Sequence, residues 1–246
     1  MSGRKKDRYC LVGENIKNSL SPEIFNLWFR ECGIFSEYVL CEVSESQFHS
    51  KFPIILNNYA GINVTSPYKI ACKKFLNKVD SASITINGGV NVIKESKGYN
   101  TDIKGFLSAL EKMSIRREFD VSKKFLILGA GATSLMISDL LIQMDKRVDV
   151  FFRGKEVLSE FSKKHYFVDD PKSLIDNTYD FVVNCTQVFG LLKESVSCKN
   201  YLDLNYRKNE GVFAKNMLIF QAAEAFKIWF GFRPKINEDI REILKI

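Results

Sequence analysis

The sequence predicts an α/β protein made of two α/β domains. Three observations carry this. Short apolar runs alternate with amphipathic stretches from residue 9 onward, the pattern of strands and helices in a largely parallel sheet. A glycine turn, Gly129-Ala-Gly131, stands between an apolar run and a helical stretch. No low-complexity linker and no internal repeat divides the 246 residues, so two compact units packed across a cleft are expected.

The first unit opens with Tyr9–Val12, an apolar run ending at Gly13 that reads as a buried strand. Ser21 before Pro22 reads as an N-cap with proline at the first helical position, and Ile24, Phe25, Leu27, Trp28 and Phe29 supply the helix's apolar face. Tyr38–Val43 is a second strand, and 48–57 a helix interrupted near Pro53. Ala60–Thr65 is a third strand, stopped at Ser66-Pro67, with 70–76 a following helix. Gly89–Ile93 and Lys97–Tyr99 read as paired strands around a turn.

The second unit begins near Asp102. Ile103–Met113 is amphipathic, Lys123–Leu128 is a strand and Ser134–Met144 a helix. Arg147–Phe152 is the next strand, 156–164 a helix, and 181–184 and 201–204 two further apolar runs. Helices over Lys215–Gly231 and Asn237–Ile246 close the chain.

Composition narrows the function classes. Lys plus Arg is 36 against 29 Asp plus Glu, a net +7, which suits an anionic partner. The basic pairs Lys73-Lys74, Arg116-Arg117, Lys123-Lys124 and Lys163-Lys164 are scattered, so they read as solvated faces and no nucleic-acid partner is expected. The six cysteines form no Cys-x-x-Cys pair and read as reduced thiols of a cytoplasmic core. His49 and His165 have no ligand-spaced neighbour, so no metal is expected. The basic N-terminus precedes no apolar signal region, and the apolar stretch 125–144 contains Gly129, Gly131 and Asp139, so no membrane association is expected. No Gly-x-Ser-x-Gly elbow suggests a serine hydrolase.

The glycine loop points to a dinucleotide. Gly129 permits the tight turn and Gly131 lets the backbone approach a pyrophosphate on the helix N-terminus. Ser134 stands where a third Gly or Ala is expected, but it is small. Arg153 and Lys155 follow the next strand, where cations fit a 2′-phosphate and favour NADP; the competing reading makes Asp149 a ribose-binding acid and allows NAD. Lys69 and Asp102 each follow a strand end, where α/β proteins build sites, and Ser19 and Ser21 fall at a strand-to-helix junction.

Six ordered motifs then resemble the shikimate dehydrogenase family. They are Gly13-Glu-Asn-Ile-Lys-Asn-Ser19-Leu-Ser21-Pro22, Asn63-Val-Thr65-Ser-Pro67-Tyr-Lys69, Gly98-Tyr-Asn100-Thr-Asp102-Ile-Lys-Gly105, Asn184-Cys-Thr186, Asp203-Leu204-Asn-Tyr206 and Met217-Leu-Ile-Phe-Gln221-Ala222. The resemblance spans about residues 9 to 232. It implies reversible hydride transfer between NADPH and 3-dehydroshikimate, giving shikimate in the chorismate route to aromatic amino acids. Lys69 would be the general acid/base with Asp102 beside it, because an ammonium stabilises and protonates a developing alkoxide. Ser19, Ser21 and Tyr206 would hold the substrate carboxylate; Thr65, Asn91, Asp102 and Gln221 its ring hydroxyls. Gly129, Ala130, Gly131, Ala132, Thr133, Arg153, Lys155, Thr186, Leu204 and Asn216 would line the cofactor. The resemblance further implies a substrate domain of 1–101 with 217–246, a Rossmann-like NADP domain of 102–216, and a cytoplasmic monomer or homodimer.

The chain also departs from the family pattern. Val92 stands where Thr is usual after Asn91, Ala132-Thr133 replaces Gly-Ala in the glycine loop, only Arg153 remains of Asn-Arg-Thr, and Asn216 replaces a Gly. Two other readings follow: an NAD-using quinate/shikimate dehydrogenase, or a binding paralogue without catalysis.

Overall fold

The computed structural model describes residues 6–81, 88–152, 166–168, 172, 174, 177–206 and 210–246. The chain divides into two compact units. The first holds the described residues up to 81 with Gly89–Lys104 and Ile219–Ile246; the second holds Gly105–Leu218.

In the first unit β1 (Asp7–Gly13), β2 (Ser36–Glu42), β3 (Gly61–Val64), β4 (Lys78–Val79), β5 (Val92–Lys94) and β6 (Lys97–Tyr99) form one sheet in the order β2-β1-β3-β5-β6-β4. Strand β1 pairs in parallel with both β2 and β3, whereas β5 runs antiparallel to β3 and β6. The sheet is therefore mixed. β5 and β6 form the hairpin expected from the short turn at 95–96, where Glu95 and Ser96 both take positive φ.

Both faces of β1 are buried, which is why its sequence is a continuous apolar run. Alternation sends Tyr9 to one face and Cys10 and Val12 to the other. Tyr9 meets Phe29 of α1 (Ser21–Glu31) and Trp229 of α6 (Val212–Phe230), with ring centroids 5.3 and 4.9 Å apart. Trp28 and Trp229 keep their indole N–H groups satisfied by donating to Lys235 O (2.9 Å) and Ile93 O (3.1 Å). On the opposite face Cys10, Val12, Ile62 and Val64 pack with Phe48 and Phe52 of α2 (Glu45–Asn58) and with Tyr68 and Cys72.

Several local expectations need correction. The N-cap of α1 is Leu20, and Ser21 already lies inside the helix, where its hydroxyl faces Ser19 Oγ at 3.2 Å. Helix α2 runs unbroken through Pro53, because the buried Phe48 and Phe52 anchor the turn that precedes the lost N–H. Residues 71–75 form a 3₁₀ turn rather than an α-helix; only Cys72 of that turn is buried, too little apolar surface to sustain a longer helix. Strand β4 and helix α4 (Arg116–Val121) had no sequence signal of their own.

In the second unit β7 (Lys124–Leu128), β8 (Arg147–Phe151), β9 (Tyr166–Val168), β10 (Thr178–Asn184) and β11 (Ser197–Asp203) make an all-parallel sheet in the order β11-β10-β7-β8-β9. The chain starts at the central β7, builds outward to β9, then crosses back to β10 on the other side of β7. Strand order thus reverses between β7 and β10, and α/β sheets bind ligands beyond the carboxyl ends of such a strand pair. Phe119 of α4, Phe125 of β7 and Phe181 of β10 stack under the sheet, with Phe119–Phe125 centroids at 5.1 Å. Helix α5 (Ala132–Gln143) follows β7. The helix expected over 156–164 lies outside the described residues.

Two helices carry the chain from one unit to the other: α3 (Asp102–Lys112), and α6, whose later turns from Ile219 belong to the first unit. A short helix, α7 (Glu238–Leu244), closes the chain, capped by Asn237. Among the described residues no helix is long and apolar enough to cross a membrane, and no three His, Cys, Asp or Glu side chains cluster as metal ligands.

Candidate active site

In the first unit five polar side chains meet around one carboxylate. Lys69 leaves the loop after β3, and its Nζ lies 2.7 Å from Asp102 Oδ2. Asp102 opens α3, where a carboxylate is favoured by the helix dipole, and its N–H is held by Asn100 Oδ1 at 2.8 Å. The Asn91 amide nitrogen donates to Asp102 Oδ1 at 2.8 Å and lies within 3.0 Å of Thr101 Oγ1 and 3.1 Å of Gln221 Oε1. Asn91 Oδ1 accepts the Thr101 N–H at 2.8 Å. Asn91, Asn100, Thr101 and Asp102 are all buried; Lys69 keeps partial exposure, its side chain 14% accessible against 7% for Asp102.

This arrangement has a direct chemical meaning. An ammonium held at hydrogen-bond distance from a buried carboxylate is fixed in direction, and it can donate to a reacting oxygen beside that carboxylate. Asn91 was expected to bind substrate hydroxyls. Its buried amide also orients Asp102 and Gln221, which share that assignment.

Ser19 and Ser21 also come together: their hydroxyls are 3.2 Å apart, and the Ser21 N–H donates to Ser19 Oγ at 3.3 Å. A polar path links them to Asn91. Ser21 hydrogen-bonds Tyr38, whose hydroxyl donates to Asn63 Oδ1 at 2.8 Å, and Asn63 Nδ2 donates to Asn91 O at 3.0 Å. Burial pushes the Tyr38 phenol well above its ordinary pKa, so it remains a neutral donor. Thr65 follows β3 directly, its N–H donating to Val12 O at 2.9 Å. Tyr38, Asn63, Asn100 and Thr101 were not singled out from the sequence. The available signal was Asn63, a polar residue inside an otherwise apolar strand that buries all four of its residues.

In the second unit the glycine turn closes at the switch between β7 and β10. Gly129 has φ +107°, a conformation that disfavours any side chain. A Cβ there would also lie 3.1 Å from Thr186 Cγ2 and 3.3 Å from Ser134 Oγ. Ser134 thus performs the close helix–strand packing that its small size allows. Gly131 is the N-cap of α5 with no side-chain cap among the described residues, and a Cβ on it would meet none of their atoms within 4 Å. Ala132 and Thr133 follow in the first turn. An uncapped helix start with open space above its glycine fits a pyrophosphate.

The segment after β10 is held by Asp203. Its Oδ2 accepts the Gly190 N–H (2.6 Å) and Asn184 Nδ2 (3.1 Å), and its Oδ1 accepts the Asn205 N–H (2.9 Å) and Asn205 Nδ2 (2.8 Å). Asn184 Oδ1 in turn accepts the Thr186 hydroxyl at 2.7 Å, and the Leu204 N–H donates to Asn184 O at 3.0 Å. Asn216 lies buried in α6; its Nδ2 donates to Val212 O at 2.9 Å, while its Oδ1 has no partner among the described residues. Tyr206 follows β11 in the same unit.

Asp149 is not a ribose acid. It is buried in the middle of β8 and accepts the Tyr179 hydroxyl at 2.9 Å, because strand alternation turns it into the sheet face rather than to the carboxyl edge. Arg153 and Lys155 lie outside the described residues. The expectation of six core thiols also needs correction: Cys10 and Cys72 are buried, but Cys32 is exposed and Cys41, Cys185 and Cys198 are half-buried.

Known proteins resemble this chain over nearly its whole length. A family model described as the shikimate dehydrogenase substrate binding domain matches residues 11–93, and one described as the shikimate 5′-dehydrogenase C-terminal domain matches 216–244. The shikimate dehydrogenase (NADP(+)) of Nitrosopumilus maritimus is 31% identical, over 93% of this chain and 95% of its own length. That of Clostridium botulinum strain Hall is 32% identical, over 89% and 95%. The crystal structure of shikimate dehydrogenase 1 from Peptoclostridium difficile has a TM-score of 0.80 at 26% identity, covering 97% of both chains.

Proposed function

The chain belongs to the shikimate dehydrogenase family, and on that premise we propose that it catalyses the reversible NADPH-dependent reduction of 3-dehydroshikimate to shikimate. The observation that carries this reading is the Lys69–Asp102 pair, buttressed by Asn91 and Gln221.

When bound, the dinucleotide supplies hydride to the carbonyl carbon and accepts it in reverse. Lys69 delivers the proton that the carbonyl oxygen needs as it becomes an alkoxide, and takes it back in the oxidation direction. Asp102 holds the ammonium in place and balances its charge. Lys69's partial exposure lets solvent restore the proton. Ser19 and Ser21, with Tyr206, bind the carboxylate. Thr65, Asn91, Asp102 and Gln221 bind ring hydroxyls, and buried groups that need partners discriminate against analogues lacking them. The Gly129–Thr133 turn, Thr186, Leu204 and Asn216 hold the dinucleotide, with Arg153 and Lys155 at its 2′-phosphate. In this reading the substrate domain is 1–101 with 217–246, and the NADP domain 102–216. The enzyme works in the cytoplasm as a monomer or homodimer and binds no nucleic acid.

Initial rates with shikimate and quinate against NADP and NAD test this. The shikimate–NADP pair should show the highest kcat/KM. Lys69→Ala should lower kcat by about 10²- to 10⁴-fold with an unchanged circular dichroism spectrum. No turnover with either cofactor, or full activity in Lys69→Ala, overturns the reading.

A further inference from the structure

Tyr38 lies buried in β2, and Asn26 of α1 clasps its backbone: Asn26 Nδ2 donates to Tyr38 O and Asn26 Oδ1 accepts the Tyr38 N–H, each at 2.9 Å. The Tyr38 ring stacks on Phe25 of the same helix, with centroids 4.5 Å apart and planes 7° from parallel. Helix α1 opens at Ser21, so these contacts fix β2 to the helix that carries one of the paired serines. The Tyr38 hydroxyl donates to Asn63 Oδ1 at 2.8 Å, and Asn63 Nδ2 donates to Asn91 O at 3.0 Å. The Val64 N–H reaches the same Asn91 carbonyl, also at 3.0 Å.

The direction of this relay follows from the groups themselves. A carbonyl oxygen only accepts, so Asn63 must turn its NH2 to Asn91 and its oxygen to Tyr38. The single phenol proton is thereby committed to Asn63. Two donors then hold the Asn91 backbone, whose side-chain amide carries Asp102 Oδ1 and Gln221 Oε1. Phenylalanine would keep the stack on Phe25 without burying a hydroxyl, so what the hydroxyl adds is the bond it donates. We propose that Tyr38 is a positioning residue for the substrate: through Asn63 it holds Asn91, and so sets where Asp102 and Gln221 meet the ring hydroxyls. The proposal rests on the shikimate reading of the Lys69 site and extends it to a side chain that acts only through its neighbours. Tyr38 governs substrate affinity more than the proton step, because Asn91 holds Asp102 Oδ1 whereas Lys69 contacts Oδ2.

Calorimetric titration of the full chain with shikimate, and initial rates with shikimate and NADP, test this. Tyr38→Phe should raise Kd and KM for shikimate by about tenfold and keep kcat and KM for NADP within about twofold, with an unchanged circular dichroism spectrum. In an Asn91→Ala background the same substitution should change KM for shikimate by less than about twofold, because its route to the substrate is gone. Tyr38→Phe combined with Asn63→Leu removes both partners of the buried bond. This pair should melt at a higher temperature than Asn63→Leu alone, which orphans the phenol, yet keep the raised KM. An unchanged KM in Tyr38→Phe, an equal rise in both backgrounds, or recovery of KM together with stability in the pair overturns this proposal and leaves the shikimate reading standing. No binding or turnover of shikimate by the parent overturns that reading, and the proposal with it.

Discussion

Asn91 and Gln221 are 130 positions apart in the sequence, yet the Asn91 amide nitrogen lies 3.1 Å from Gln221 Oε1. The same amide holds Asp102 Oδ1, so one buried side chain ties the returning helix α6 to the carboxylate that faces Lys69. Such a junction specifies geometry at a cost in tolerance. Asn91→Ala leaves Asp102 Oδ1 and the Thr101 N–H without partners and should destabilise the protein by about 1–3 kcal/mol in denaturant unfolding. Gln221→Ala should cost less in stability and raise KM for shikimate by about tenfold, with a smaller change in KM for NADP.

The Lys69–Asp102 pair allows stability and activity to be separated. Asp102→Asn removes the counter-charge of an ammonium that is only 14% exposed, so both the melting temperature and kcat should fall, kcat by about a hundredfold. Lys69→Met combined with Asp102→Asn removes both charges. Thermal unfolding should find this double variant more stable than Asp102→Asn alone, and rate assays should find it inactive.

Asp203 accepts four N–H donors and offers no hydrogen in return. Asp203→Asn must turn an amide N–H toward two of those donors. The segment that carries Thr186 past Gly129 then loses its anchor. KM for NADP should rise by about tenfold, while kcat and KM for shikimate stay within about twofold. Equal changes in all three would point to general unfolding instead.

Asp180 predicts an acid-labile contribution. Its carboxylate accepts Lys199 Nζ at 2.7 Å and the N–H groups of Lys123 and Lys124 at 2.9 and 3.1 Å. The Lys199 hydrogen bond, then these backbone donors, hold its pKa at about 2, below the ordinary 3.8. A lowered folded-state pKa stabilises above the unfolded value and loses that stabilisation as pH falls toward 2. Asp180→Asn should therefore be less stable than the parent at pH 7 by about 1–2 kcal/mol, a gap that closes near pH 2. Urea unfolding at both pH values measures it.

Much of the architecture was legible because it is local. Short continuous apolar runs, the glycine turn before α5 and the apolar face of α1 are properties of neighbouring residues. The misreadings share a cause in tertiary packing: Pro53 sits inside a helix held by Phe48 and Phe52. Strand β4 is two residues long and exists because β6 lies beside it.

The site divides the same way. By itself the sequence determined which chemistry was available: a lysine and an aspartate after strand ends, paired serines, and a glycine turn able to approach a phosphate. Only the tertiary structure decided how those groups are employed. Folding brought Asn91 to Asp102 and Gln221, so its amide orients both of them. Strand alternation turned Asp149 inward to Tyr179 and away from any ribose. In each case the deciding quantity is a distance of about 3 Å between residues far apart in the chain, and hydrogen bonding at that range is set by packing, not by composition.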